Sequence, residues 1–224
     1  MCFSRFFSGL LMLLPFFALA ACDQAAVHGS GNYVTQTHNI IDFTSLRVET
    51  TGEIHITIGE SPTLSVAAYE NILPLLTFSV EDGVLVLNQA EGTGYVTDQP
   101  IAMTITVPTL ESIEVAGTAN IAIDNLSGDM FTADIRSPGN LTTHGSVTEQ
   151  TVTVSGTGHY YGFGLQTVTT AITISGAGEA QITASDTLIA TLSGEGGVIY
   201  QGEPDVTEYI TGTGHIQPAP TPEQ

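Results

Sequence analysis

The second half of the chain repeats one short pattern six times, and that repeat restricts the fold more than any other feature. The first copy is Val115-Ala116-Gly117-Thr118-Ala119-Asn120-Ile121, and a later one is Ile174-Ser175-Gly176-Ala177-Gly178-Glu179-Ala180. Equivalent turn positions fall at Ala119, Gly139, Gly158, Gly178, Gly196 and Gly214, spaced 20, 19, 20, 18 and 18 residues apart. Before each turn, apolar residues alternate with polar ones, as in Val152/Val154, Ile172/Ile174 and Ala190/Leu192, which is a strand with one face buried. A period near 19 with two or three strands per copy suits one coil of a parallel β-solenoid, each coil stacking about 4.8 Å above the last. The sequence therefore predicts an all-β parallel β-helix with coils of about 18–20 residues.

In that scheme Val115, Ile135, Val154, Ile174, Leu192 and Ile210 form one inward column, and Ile121, Leu141, Tyr160, Ala180, Val198 and Ile216 another. Glu208 falls in a column otherwise held by Ile113, Ala133, Val152, Ile172 and Ala190. An unpaired carboxylate is costly to bury, so an open end or a cap is expected at the last coil. The Gly-x-Gly turns are expected to use the positive φ that glycine tolerates.

Residues 33 to 110 read as less regular coils with strands near 54–58, 64–68, 78–80, 84–87 and 101–107. Glu81-Asp82-Gly83 has the chemistry of a tight hairpin turn, so part of this half is expected to be antiparallel. The domain is thus placed at 32–216, followed by a disordered Pro-rich tail at 217–224.

The first residues carry Arg5, then an apolar run through Phe6, Leu10, Phe16 and Leu19, then small residues, which is the order of a secretory signal. Leu19-Ala20-Ala21-Cys22 resembles the lipobox of bacterial lipoproteins, which implies cleavage after residue 21 and a diacylglycerol thioether on Cys22. Ala18-Leu19-Ala20 also satisfies an ordinary cleavage site, in which case the product is unanchored. Residues 22–31 would then be the lipidated cysteine and a flexible spacer reaching about 30 Å. Asp23 resembles an inner-membrane retention signal, and the location stays open between the outer membrane and the periplasmic face of the inner one.

Removal of the signal leaves 23 acidic residues against Arg47 and Arg136, a formal charge of −21, and there is no lysine. Such a chain is repelled by nucleic-acid phosphate, which excludes nucleic acid as a partner. Cys22 is the sole thiol left, so no disulfide or thiolate metal site can form within the mature chain.

Gly29-Ser30-Gly31-Asn32, Phe43-Thr44-Ser45-Leu46-Arg47-Val48, Gly52-Glu53-Ile54-His55-Ile56-Thr57-Ile58-Gly59, Asn71, the run from Val80 to Val86 and the Ser-Gly-x-Gly repeats occur in an informative order. In these the chain resembles the bacterial family called putative auto-transporter adhesin, head GIN domain. The resemblance spans the mature chain and implies an exported β-helical domain, often on a lipoprotein, with no established catalytic residues.

Sites of chemistry are few. Ser155, Ser175 and Ser193 precede glycines but recur with the repeat and lack a G-x-S-x-G elbow. Stacking should place Asn120, Asn140, His159, Glu179, Gly197 and His215 in one outward ladder, where His159 and Glu179 are weak candidates for a shared metal. The plainer reading makes them solvated turn residues, and His28, His38, His55 and His144 are read the same way. Thr132, Thr151, Thr153, Thr173 and Thr191 should form an outward threonine face. Arg136 is expected beside Asp134 and Glu114 as a structural ion pair.

No catalytic residue and no cofactor is assigned. The expected role is a lipid-anchored, non-enzymatic binding or adhesin-like module of the cell envelope, with a surface glycan or protein as its ligand. Two alternatives stand beside it: a polysaccharide-acting β-helix enzyme, with carboxylates such as Asp134 and Glu114 as hydrolytic candidates, and an architectural or regulatory envelope lipoprotein.

Overall fold

The computed structural model describes residues 26–90 and 94–220. The signal segment, Cys22 and residues 221–224 lie outside the described residues. The N-terminal half contributes β1 (Val27–His28), β2 (Tyr33–His38), β3 (Ser45–Val48), β4 (Glu53–Ile58), β5 (Thr63–Tyr69), β6 (Leu76–Glu81), β7 (Val84–Gln89), β8 (Tyr95–Val96), β9 (Ala102–Val107) and β10 (Ser112–Val115). The repeats then form β11 (Asn120–Ile135), β12 (Asn140–Val154), β13 (His159–Ile174), β14 (Glu179–Leu192), β15 (Gly197–Gln201), β16 (Asp205–Ile210) and β17 (His215–Pro218).

These strands stack into a β-solenoid with two long ladders. The first runs β5-β9-β4-β11-β12-β13-β14-β15-β17, with β2 outside β5. The second runs β6-β7-β3-β10 and continues through the later parts of β11 to β14 to β16. Pairing is parallel throughout the repeats, while β2 with β5, β5 with β9, and β6 with β7 are antiparallel. The Glu81-Asp82-Gly83 hairpin forms as expected, with φ of 50° at Asp82 and 80° at Gly83.

Alternation in the sequence becomes alternation in burial. Val115, Ile135, Val154, Ile174 and Leu192 are fully buried in one column, and Leu141, Tyr160, Ala180 and Val198 in another. Among the described residues the columns end at the coil of β16, where Ile210 is 43% exposed and no further described coil covers it. Glu208 stands in register with Ala190 and is likewise exposed, so the open end spares its carboxylate a buried environment.

The repeat glycines serve a purpose different from the expected one. None of Gly156, Gly158, Gly176, Gly178, Gly194, Gly196, Gly212 or Gly214 has positive φ. Their backbones instead stack so closely that a Cβ on Gly176 would lie 2.0 Å from the Gly156 carbonyl oxygen, and one on Gly194 equally close to that of Gly176. Close approach, not turn handedness, requires glycine here. The same carbonyls accept the next coil's amides, as when Ala177 N–H donates to Gly156 O at 3.2 Å.

Two expected boundaries move. The spacer is not free through residue 31: β1 pairs with β8, Gly29 N–H donates to Val96 O, and the Asn71 side chain bonds both Ser30 N–H and the His28 carbonyl. The tail begins later than 217, because Gln217 and Pro218 continue β17 and Ala219 N–H donates to Tyr200 O at 2.7 Å. In both places backbone pairing to an existing edge outweighs the local disorder signal of Gly or Pro.

A polar chain runs inside the repeats. Tyr160, whose side chain is fully buried, meets Thr143 at 2.6 Å and accepts from Gln150 Nε2; Thr170 donates to Gln150 Oε1, and Thr167 bonds Thr170 and the Thr183 carbonyl. Burial pushes the Tyr160 phenol well above its ordinary value, against the two hydrogen bonds that lower it.

Candidate functional site

The first ladder presents its outward side chains in two rows across β9, β4, β11, β12, β13 and β14. One row reads Ala102, Glu53, Asn120, Asn140 and His159, and the other reads Thr104, His55, Ala122, Thr142, Tyr161 and Gln181. Each row follows from the strand period of two: residues flanking buried Ile54, Ile121, Leu141 and Tyr160 must point outward.

Gly52 sets the start of the first row. Its φ is +135°, and an added Cβ would lie 2.5 Å from the Ile101 carbonyl oxygen, so only glycine lets the chain enter β4 here. Glu53 then accepts a hydrogen bond from Asn120 Nδ2 at 2.9 Å, and Asn120 Oδ1 accepts one from Asn140 Nδ2 at 2.9 Å. Asn140 Oδ1 is buried and has no partner among the described residues. His159, on the next rung, stacks its ring on that of Tyr161 at 5.9 Å.

At the margin of this face the Asp124 carboxylate bridges two imidazoles: Oδ2 meets His55 Nε2 at 2.7 Å and Oδ1 meets His144 Nδ1 at 3.0 Å. The His55 hydrogen bond, opposed by partial desolvation and aided by the charges of both imidazoles, holds the Asp124 carboxyl below the usual aspartate range. His144 has room for its ring because residue 164 is glycine; a Cβ there would lie 2.1 Å from His144 Cδ2. These histidines are therefore engaged side chains and not free solvated ones. Their link was missed because Asp124 lies 69 residues from His55. The register of β4 on β11, had it been legible, would have brought the two together.

A shallow groove of about 500 Å³ lies over the face, lined by Glu53, His55, Thr104, Asn120, Asn140, Thr142 and Tyr161 among others. His159 and Glu179 occupy neighbouring rungs of the row, since Tyr160 pairs with Ala180. Among the described residues no group of three or more His, Cys, Asp or Glu is placed to hold a metal ion.

The second ladder carries the two described arginines. Glu114 accepts from Arg47 Nε at 3.0 Å and from Arg136 at 2.7 Å, and Arg136 also meets Asp134 at 2.7 Å. The expected ion pair of Arg136 is thus present and widened by Arg47, and hydrogen bonding to Asp134, with the charges of Asp134 and Glu114, raises the Arg136 pKa. The expected threonine face resolves into two adjacent columns, Thr132 with Thr151 and Thr153 with Thr173 and Thr191, so it is narrower than one continuous ladder.

These features define a class: a parallel β-solenoid with a polar, aromatic-bearing face on one ladder and an ion-paired one on the other. A family model, putative auto-transporter adhesin, head GIN domain, matches residues 42–204, and the chain belongs to that family. A solved structure described as a putative adhesin from Bacteroides fragilis is 20% identical with a TM-score of 0.68, covering 87% of this chain and 100% of that one. One from Parabacteroides distasonis described as a putative lipid binding protein is 20% identical with a TM-score of 0.52, covering 88% of this chain and 100% of that one. At such identities the likeness establishes the fold alone. Among curated proteins none matches the chain.

Proposed function

We propose that the chain is a non-enzymatic, adhesin-like binding module, exported and held to a membrane of the cell envelope through lipid on Cys22. The observation that carries this reading is the outward face of the first ladder. It offers hydrogen-bonding rows and an exposed tyrosine over several coils, while at its margin Asp124 is tied to His55 and His144. Membership of a family named for adhesion supports the same reading.

The docking of β1 on β8 alters the tether. Between Cys22 and Val27 stand only Asp23, Gln24, Ala25 and Ala26, which span at most about 14 Å when extended. A lipid on Cys22 would therefore keep the β1–β8 end of the solenoid next to the headgroups. The strongly acidic surface would be repelled by anionic lipid, which favours a domain standing away from the membrane on that end.

Cys22→Ser tests the anchor by fractionation: the variant should leave the membrane or remain unprocessed, and unchanged membrane association would overturn it. Screening the mature protein against glycans, envelope extracts and host surfaces tests the binding role, and polysaccharide turnover would instead favour the enzyme alternative. A second reading draws on the relative described as lipid binding. A groove lined by Ile41, Phe43, Pro62, Val107 and Pro108 is where an apolar chain would lie, and uptake of a fatty-acid probe by the purified protein checks it.

A further inference from the structure

We propose that the outward face of β12 and β13, with the groove beside it, binds an uncharged glycan chain whose sugar rings stack on Tyr161. The proposal rests on the binding-module reading and names the ligand class and site for it.

Tyr161 is 39% exposed although it lies in the middle of a ladder, and its ring is buttressed by His159 at an interplanar angle of 25°. Threonine and glutamine flank it in register, Thr142 on β12 and Gln181 on β14. Asn140 lies in the adjacent row, its amide nitrogen donating to Asn120, so that row carries two linked side-chain amides. An aromatic ring beside side-chain amides and hydroxyls matches the two surfaces of a pyranose: apolar C–H groups on its face, and donor–acceptor hydroxyls around its rim. The groove continues the face across earlier coils, and rungs about 4.8 Å apart carry Thr104, His55 and Thr142 in one row and Glu53, Asn120 and Asn140 in the other, along the direction a linear chain would take.

The charge on the face decides between ligand classes. Arg47 and Arg136 both lie on the other ladder and are held by Glu114, so among the described residues no arginine or lysine stands on this face to pair a uronate, sulfate or phosphate. A basic peptide would pair with carboxylates such as Glu53, which already accepts from Asn120, and Glu179, and it would make no use of the Tyr161 ring. Uncharged sugar is the chemistry that uses what remains.

The test titrates the full mature protein calorimetrically with four probes: a hexamer of N-acetylglucosamine, a hexamer of glucose, polygalacturonate and oligolysine. The proposal expects saturable binding of at least one neutral hexamer and none of polygalacturonate. Tyr161→Ala should weaken that binding about tenfold, with an unchanged circular dichroism spectrum because the side chain is exposed. Thr173→Ala, on the other ladder, should bind as the parent does. Equal binding by Tyr161→Ala, binding of oligolysine alone, or no binding of either hexamer would each overturn the proposal. The broader reading fails separately: it falls if the parent protein binds none of the glycans, envelope extracts or host surfaces in the wider screen, or if it turns a polysaccharide over.

Discussion

Tyr160→Phe removes one oxygen from the interior, and the buried polar chain makes its cost calculable. The phenol oxygen accepts from Gln150 Nε2 and bonds Thr143, and Gln150 is only 2% exposed. The Thr143 hydroxyl can rotate toward another acceptor, but the Gln150 amide is held at its other end, where Oε1 accepts from Thr170 at 3.4 Å. One buried donor left unsatisfied costs roughly 1–3 kcal/mol. For a domain of this length that corresponds to a fall in Tm of about 2–12 °C. Urea denaturation of the mature protein reads the change, and hydrogen exchange of the β12 and β13 amides localises it. Adding Gln150→Leu to Tyr160→Phe removes the stranded donor as well, so the double variant should recover part of the loss. A single variant within about 0.5 kcal/mol of the parent, or a double variant less stable than the single, would refute the assignment of this network to stability.

Three further outcomes follow from other parts of the molecule. Gly176→Ala should abolish folding or cost several times what an exposed substitution does, because its Cβ would lie 2.0 Å from Gly156 O; soluble expression and circular dichroism check it. The Asp124 carboxyl, held low by His55 and His144, should contribute stability at pH values above its unfolded pKa of about 3.9 and lose it as pH falls through its lower folded value. The effect is small because the pair is exposed, and carbon NMR of Asp124 should show its titration moving back up in His55→Gln with His144→Gln. Glu208→Val should make the exposed coil of β16 more apolar and increase concentration-dependent self-association in sedimentation relative to the parent; equal sedimentation of the two would refute this.

The repeats made their half of the fold legible, because a strand period of two and a coil period near 19 together determine which residues stack. Val154 over Ile135 and Ile174 over Val154 follow from counting alone, and so does the place of Glu208. The conformation of the repeat glycines was not readable, since close approach and positive φ select the same residue. The N-terminal half hid its register because β5 to β9 intervene between coils that stack. Arg47 meets Glu114, and Glu53 meets Asn120, each across a separation of 67 residues, most of it the irregular strands β5 to β9. The site suffered from the same gap: Asn120 and Asn140 were placed in one ladder, but Glu53, His55 and Asp124 could join the face only once β4 was seen beneath β11. Tyr161 gave no signal of its own, because next to buried Tyr160 it reads as an ordinary outward strand residue. Residues 27 to 31 looked like linker since their order depends on β8 and Asn71, far away in sequence.

Equilibrium binding of the purified mature protein to surface glycans, followed by size analysis of the recovered glycan, addresses the central claim most directly. A binding module predicts saturable binding and glycan returned at its original length after prolonged incubation. Shortened or unsaturated products that accumulate with time, and vanish when the protein is heat-denatured, would contradict it.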